Sequence, residues 1–226
     1  RSVSRGLGDV YKRQAYRSRL IAFDPSDGLK LPKNEKRSHR SITGEERTHI
    51  LEVASYHPSG LWVLLILYTG LRPGEAAALQ WKDIDFDRNE IHVYKAIESG
   101  TSTIKTPKTP AGIRDIPMRK DLRQLLWNSR GDPFSLLFPT RKGTIRSPTS
   151  VWKLWNSFAK ELDLHMGAEE QDGKIVHHAI APDLTLYCLR HTFCTDLQRA
   201  GVAINIAKEL MGHSSIAAVS YTHLRA

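Results

Sequence analysis

The chain reads as an α+β domain, mainly α-helical, with a small antiparallel three-stranded sheet. Three observations predict this. Helical segments with their own start and stop signals recur along most of the length. Between them, residues 84–118 change to alternating, β-branched patterning with turn residues. Hydrophobic residues make up 40% and charged residues 25% of 226, enough for one sizeable domain plus a fragment of another.

The elements follow in order. Residues 15–40 are polar and basic, broken by Asp24-Pro25 and Leu31-Pro32, and read as a linker. Thr43 and Glu46 form a capping box that opens a helix through Val53. Leu61 to Tyr68 is apolar all round, so it reads as a buried helix, with Gly70 as its C-cap. Pro73 suits the first turn of a short helix, with Arg72 at its mouth. Ile84 to Ile97 reads as strands turning at Arg88-Asn89, and Arg114 to Met118 as a third strand. Between them, Glu98 to Ile113 reads as a loop carrying Lys105 and Lys108. Helices resume at Lys120–Asn128 and Thr149–Leu162, the second capped by Ser147 and started by Pro148. Val151, Leu154, Trp155 and Phe158 share one face there and are assigned to the core. Gly167 to Pro182 is a polar excursion with hairpin character. Its His177-His178 pair lacks further ligands at workable spacing, so no metal and no cofactor is expected. Helices over Leu186–Ala200 and Ile204–Met211, parted by Gly201, complete the chain.

The net charge is +9 with a pI near 9.6, which favours polyanions, nucleic acid foremost. No amphipathic basic helix with a bulky apolar face stands out, and no stretch is long enough to span a bilayer, so no membrane partner is expected. Cys188 and Cys194 lie six apart on one helix, on different faces, which argues against a disulfide and for reduced thiols in a cytoplasmic protein.

Two segments carry the chemistry. Thr69-Gly70-Leu71-Arg72-Pro73-Gly74-Glu75 places an arginine at a helix N-terminus, a position that favours anions. Leu189-Arg190-His191-Thr192-Phe193, followed by Leu210-Met211-Gly212-His213, supplies a second arginine and a histidine. Two guanidiniums from distant parts of a basic chain can clamp one phosphate between planar forks. A lone arginine is more often a surface ion pair. Glu75 reads either as a brace for arginine or backbone groups or as a solvated helix carboxylate.

These boxes resemble those of the tyrosine recombinase (phage integrase) family, especially integrases of phages and conjugative transposons, over about Ser41 to Ala218. The resemblance implies the catalytic fold of that family, with its helical core-binding domain ending within residues 15–40. It puts the family's first arginine at Arg72, its second at Arg190 and its late histidine at His213. Lys108, in KTPKTPAGIRDIPM, fits the family's hairpin lysine by its distance to Arg114 and Pro117; Lys105 is the weaker candidate. Tyr187 stands where the family usually has histidine, and Tyr221 stands at the nucleophile position, one or two residues nearer His213 than usual. His191 is expected to be structural.

The activity implied is site-specific recombination of double-stranded DNA through a 3′-phosphotyrosyl link, with neither ATP nor metal. Family members assemble as tetramers on DNA; this chain is expected to be monomeric. A remnant that grips DNA without cutting it, and a type IB topoisomerase, are the rival readings.

The two ends stand apart. Asp9-Val10-Tyr11-Lys12-Arg13-Gln14 back-translates to GATGTGTATAAGAGACAG, a transposon end used in sequencing libraries. Residues 219–226 back-translate to GTCTCTTATACACATCTCCGAGCC, the same end reversed. On that reading residues 1–14 and 219–226 are translated library sequence, the catalytic domain spans 41–218, and its own nucleophile lies beyond the break.

Overall fold

The structure, a computed structural model, describes residues 11, 14–23, 39–98, 103–107 and 110–215. Lys108, Tyr221 and, apart from positions 11 and 14, both supposed library segments lie outside the described residues. The chain divides into two units, Arg1–Arg37 and Ser38–Ala226. In the first, residues 14–17 are helical and close in a turn, the Leu20 N–H donating to the Ala15 carbonyl at 2.9 Å.

The second unit is built around one helix. Helix α2 (Gly60–Thr69) contributes Trp62, Leu65, Ile66 and Leu67, all essentially closed to solvent. A helix apolar on every side has to lie in the middle, and its neighbours surround it. Helix α1 (Gly44–Tyr56) supplies Ile50 and Val53, and begins with the expected capping box. The Glu46 N–H donates to Thr43 Oγ1 at 3.1 Å, and the Thr43 N–H to Glu46 Oε2 at 2.7 Å. After the short α3 (Pro73–Ala78) come the strands β1 (Ile84–Asp85), β2 (Glu90–Val93), β3 (Ala96–Ile97), β4 (Ile104–Lys105) and β5 (Arg114–Pro117). The order β1-β2-β5 makes the expected three-stranded antiparallel sheet, with Ile91 opposite both Ile84 and Ile116.

One loop expectation is corrected. Within Glu98 to Ile113, Ile104–Lys105 pairs with Ala96–Ile97 as a separate two-stranded hairpin, β3-β4. Two residue pairs are too few to show alternation in the sequence.

Helices α4 (Lys120–Asn128) and α5 (Pro148–His165) follow, then the hairpin β6 (Glu169–Gln171) and β7 (Lys174–His177). Helix α6 (Leu186–Arg199) packs on α2, and α7 (Ile204–Met211) packs on α6 and beside β5. Leu122, Leu126, Phe158, Leu162, Leu186 and Leu189 close the core around α2. Leu154, assigned to that core, is only partly buried at its edge. Both cysteines are buried, and among the described residues neither is in a disulfide. Among the described residues no helix is long and apolar enough to cross a membrane.

Candidate active site

The site is organised by the C-terminal end of α7. A helix leaves its last four carbonyls without intrahelical partners, and here each can be accounted for. Gly212 takes a left-handed conformation (φ 63°) and turns the chain back. The His213 N–H then donates to the Lys208 carbonyl at 3.1 Å and the Gly212 N–H to the Glu209 carbonyl at 2.8 Å. The remaining two helix carbonyls, and that of the C-cap Gly212, each receive an arginine. Arg114 Nε donates to Leu210 at 2.7 Å, Arg190 Nη2 to Met211 at 2.5 Å, and Arg72 Nη2 to Gly212 at 3.0 Å. These arginines come from β5, α6 and the N-cap of α3. The negative end of the α7 dipole therefore faces three cations, and His213 is held beside them.

Glu75 closes the group from the other side. Its carboxylate accepts from Arg72 Nη1 at 2.7 Å, from the Arg72 N–H at 2.8 Å and from Arg114 Nη2 at 2.9 Å. Of the two sequence readings of Glu75, the brace is the one observed. Burial works to raise its pKa; the Arg114 hydrogen bonds and the surrounding guanidiniums override that and hold it at about 2.

Three guanidiniums and one carboxylate leave positive charge uncompensated. Arg190 reports it most clearly. It is 6% exposed, and its terminal nitrogens donate to the carbonyls of Gly70 and Met211. It also reaches His213 Nε2 at 2.9 Å. Burial and the Arg72 charge push its pKa down to about 9. Burial and the Arg190 charge likewise push His213 down to about 4. Arginine can only donate, so His213 Nε2 accepts and Nδ1 carries the proton of the neutral ring. That Nδ1 is buried and has no hydrogen-bond partner among the described residues.

Gly70 shows why this packing needs glycine. Its φ of 62° is left-handed, and a Cβ there would lie 2.4 Å from Phe193 Cδ1 and 3.0 Å from Met211 Sδ. Its carbonyl is thereby free to meet Arg190 across the helix end.

Arg72, with its side chain 40% exposed, opens onto a groove of about 310 Å³. Tyr187, Trp152, Glu98 and Gly74 also line it. Tyr187 is 39% exposed and stacks on His39 with ring centroids 5.2 Å apart. It lies three residues before Arg190, on the same side of α6. Lys105, the weaker lysine candidate, pairs with Glu98 at 2.7 Å on the β3-β4 hairpin at the groove's rim.

The structure thus brings Arg72, Arg190 and His213 together, with Tyr187 on the adjoining groove. The expectation of two free forks needs correcting for Arg190, most of whose guanidinium is engaged by carbonyls. Sequence reading missed Arg114 and Trp152. The alternation of β5 turns residue 114 inward with Ile116, and a buried arginine needs a carboxylate.

With this geometry established, known proteins place the chain. The Phage integrase family matches residues 40–226. The protein belongs to the phage integrase family. It is 29% identical over 197 residues to a tyrosine recombinase XerC-like protein of Caldanaerobacter subterraneus subsp. tengcongensis, covering 81% of this chain and 50% of that one. It is 28% identical over 194 residues to the transposase from transposon Tn916 of Enterococcus faecalis, covering 78% and 45%. The chain thus spans about half the length of these curated relatives. Among solved structures, the Tn1549 transposon integrase in complex with a circular intermediate DNA superposes with a TM-score of 0.70 at 24% identity, covering 95% of this chain and 71% of that one. XerA recombinase superposes at 0.60 and 20% identity, covering 100% and 72%. Both confirm the mainly helical recombinase catalytic fold with small antiparallel sheets.

Proposed function

We propose that this domain cleaves and rejoins double-stranded DNA by site-specific recombination in the cytoplasm, through a 3′-phosphotyrosyl intermediate. One observation carries the reading: Arg72 and Arg190 are gathered with Arg114 around a single carboxylate, leaving a positive site beside an open groove. A phosphodiester supplies the missing negative charge. Arg72 has five N–H donors, of which two directions are taken among the described residues, one by Glu75 and one by Gly212. In the proposed reaction a tyrosine hydroxyl attacks phosphorus, and the 5′ oxygen leaves. Arg72 holds a non-bridging oxygen as charge builds, worth roughly 2.7–4 kcal/mol by analogy with one oxyanion donor, while Arg190, its terminal nitrogens held by the Gly70 and Met211 carbonyls, adds its positive charge to the site. His213, whose Nε2 accepts from Arg190, orients that guanidinium at the site, and Tyr187 assists from the groove. Lys108 protonates the departing oxygen. The attacking hydroxyl is assigned to the tyrosine at the family's nucleophile position, where this sequence has Tyr221. Assembly on paired DNA sites as a tetramer belongs to the same proposal.

The test is covalent capture. A randomised pool of nicked duplexes is incubated with the protein, and protein-linked DNA is isolated on a denaturing gel. The proposal expects linked DNA enriched for one sequence, abolished by Arg72→Ala. DNA that binds yet never becomes linked overturns the cleavage reading and leaves a DNA-gripping domain.

A further inference from the structure

Away from the arginine cluster, three potential ligands meet on the seam between α1 and α5. His49 and Glu52 are three apart on α1, hence on one face, and His165 is the last residue of α5. His165 Nε2 lies 2.9 Å from Glu52 Oε2, and His49 Nδ1 lies 3.6 Å from the same oxygen. The three atoms all fall within 4.8 Å of one another. The two imidazoles meet edge to face, with centroids 5.3 Å apart.

A second observation points to a ligand. His49 Nδ1 is shielded from solvent yet makes no hydrogen bond among the described residues. A shielded ring nitrogen without a partner is costly, and it is the group a metal ion would satisfy. From these positions we propose that His49, Glu52 and His165 form a binding site for a borderline divalent transition metal, zinc above all, that ties α1 to α5.

The dimensions fit. Tetrahedral zinc with bonds of about 2.1 Å needs ligand atoms about 3.4 Å apart; the two separations to Glu52, 2.9 and 3.6 Å, bracket that value, and the two imidazole nitrogens lie within 4.8 Å of each other. Two neutral imidazoles and one carboxylate suit zinc, nickel or copper; magnesium and calcium want oxygen sets. Glu52 keeps about half its side chain exposed, so a fourth, water ligand has room. The site lies at the opposite end of α5 from Trp152 of the groove. Thirteen residues of helix separate them, about 20 Å at 1.5 Å per residue. The ion is therefore a structural clip rather than part of the phosphate chemistry. It would lock a seam already carrying a Tyr56–Glu161 hydrogen bond of 3.1 Å.

Tag-free protein, stripped with chelator, is titrated with zinc chloride by calorimetry and with cobalt by visible absorption. One equivalent of zinc is expected, with a raised Tm and tetrahedral cobalt bands. His165→Ala and His49→Ala each weaken binding at least tenfold and abolish the Tm shift. The metal-free Tm of each variant is measured alongside, so that a misfolded variant is recognised. Zinc affinity unchanged in the His49→Ala/His165→Ala double variant overturns the assignment. So does absence of binding at a hundredfold excess of metal over wild-type protein.

Discussion

Arg114 and Glu75 face each other as a doubly hydrogen-bonded pair, Nη2 to Oε2 at 2.9 Å and Nη1 to Oε1 at 3.3 Å, with both side chains almost closed to solvent. The pair joins β5 to α3, and Arg72 shares the same carboxylate. Removing one partner strands the other as a buried charge. Arg114→Ala is therefore expected to cost about 3–5 kcal/mol, read from urea unfolding. It also frees the Leu210 carbonyl, so the ring signals of His213 should shift in the NMR spectrum of any folded fraction.

Acid should unfold the domain in two stages. Glu75 is held at about 2, below its ordinary 4.5, so its contribution is full above 4.5 and is lost as pH falls towards 2. His213 is held at about 4, below its ordinary 6.5. The unfolded chain takes that proton first, so stability declines from pH 6.5 to 4 and then levels for this group. Urea midpoints measured across pH 2–8 should show both slopes. His213→Asn should lessen the upper slope, which His57, also held down by burial, shares, and Glu75→Gln should lessen the lower, which Glu46, Asp163 and Asp183 share.

Gly70→Ala puts a Cβ onto the Phe193 ring at a left-handed backbone position. The conformation alone costs roughly 1–2 kcal/mol, and the contact adds to it. A fall in the urea midpoint, with Phe193→Leu partly restoring it, is the expected pattern.

Inorganic sulfate should raise the Tm by filling the positive site beside Arg72, following the ordinary linkage of a ligand to the folded state. The rise should be smaller in Arg72→Ala, while sodium chloride at equal ionic strength should have little effect on either.

Much of this was legible in advance. Thr43 with Glu46, Ser147 with Pro148, and Gly70 announced helix ends because capping is local chemistry. Ile84 to Met118 announced the sheet through alternation. Arg72, Arg190 and His213 were found through their boxes. What escaped depends on contacts between distant positions. Arg114 meets Glu75 across 39 residues of sequence, and His165 meets Glu52 across 113. Neither pairing leaves a periodic trace. That the carbonyls at the end of α7 would be taken by three arginines follows only from how β5, α3 and α6 pack around its end.

The central claim is that the Arg72 fork binds one phosphodiester as its charge develops, in a positive field to which the buried Arg190 contributes. Arg72 tests it best, since its side chain is partly exposed and a replacement leaves the core undisturbed. The decisive measurement is the single-turnover rate of covalent adduct formation by Arg72→Lys, on the nicked duplex that wild-type protein links. A rate at least a hundredfold lower, with DNA affinity within a few-fold of wild type, is the predicted result. A rate near that of wild type would contradict it.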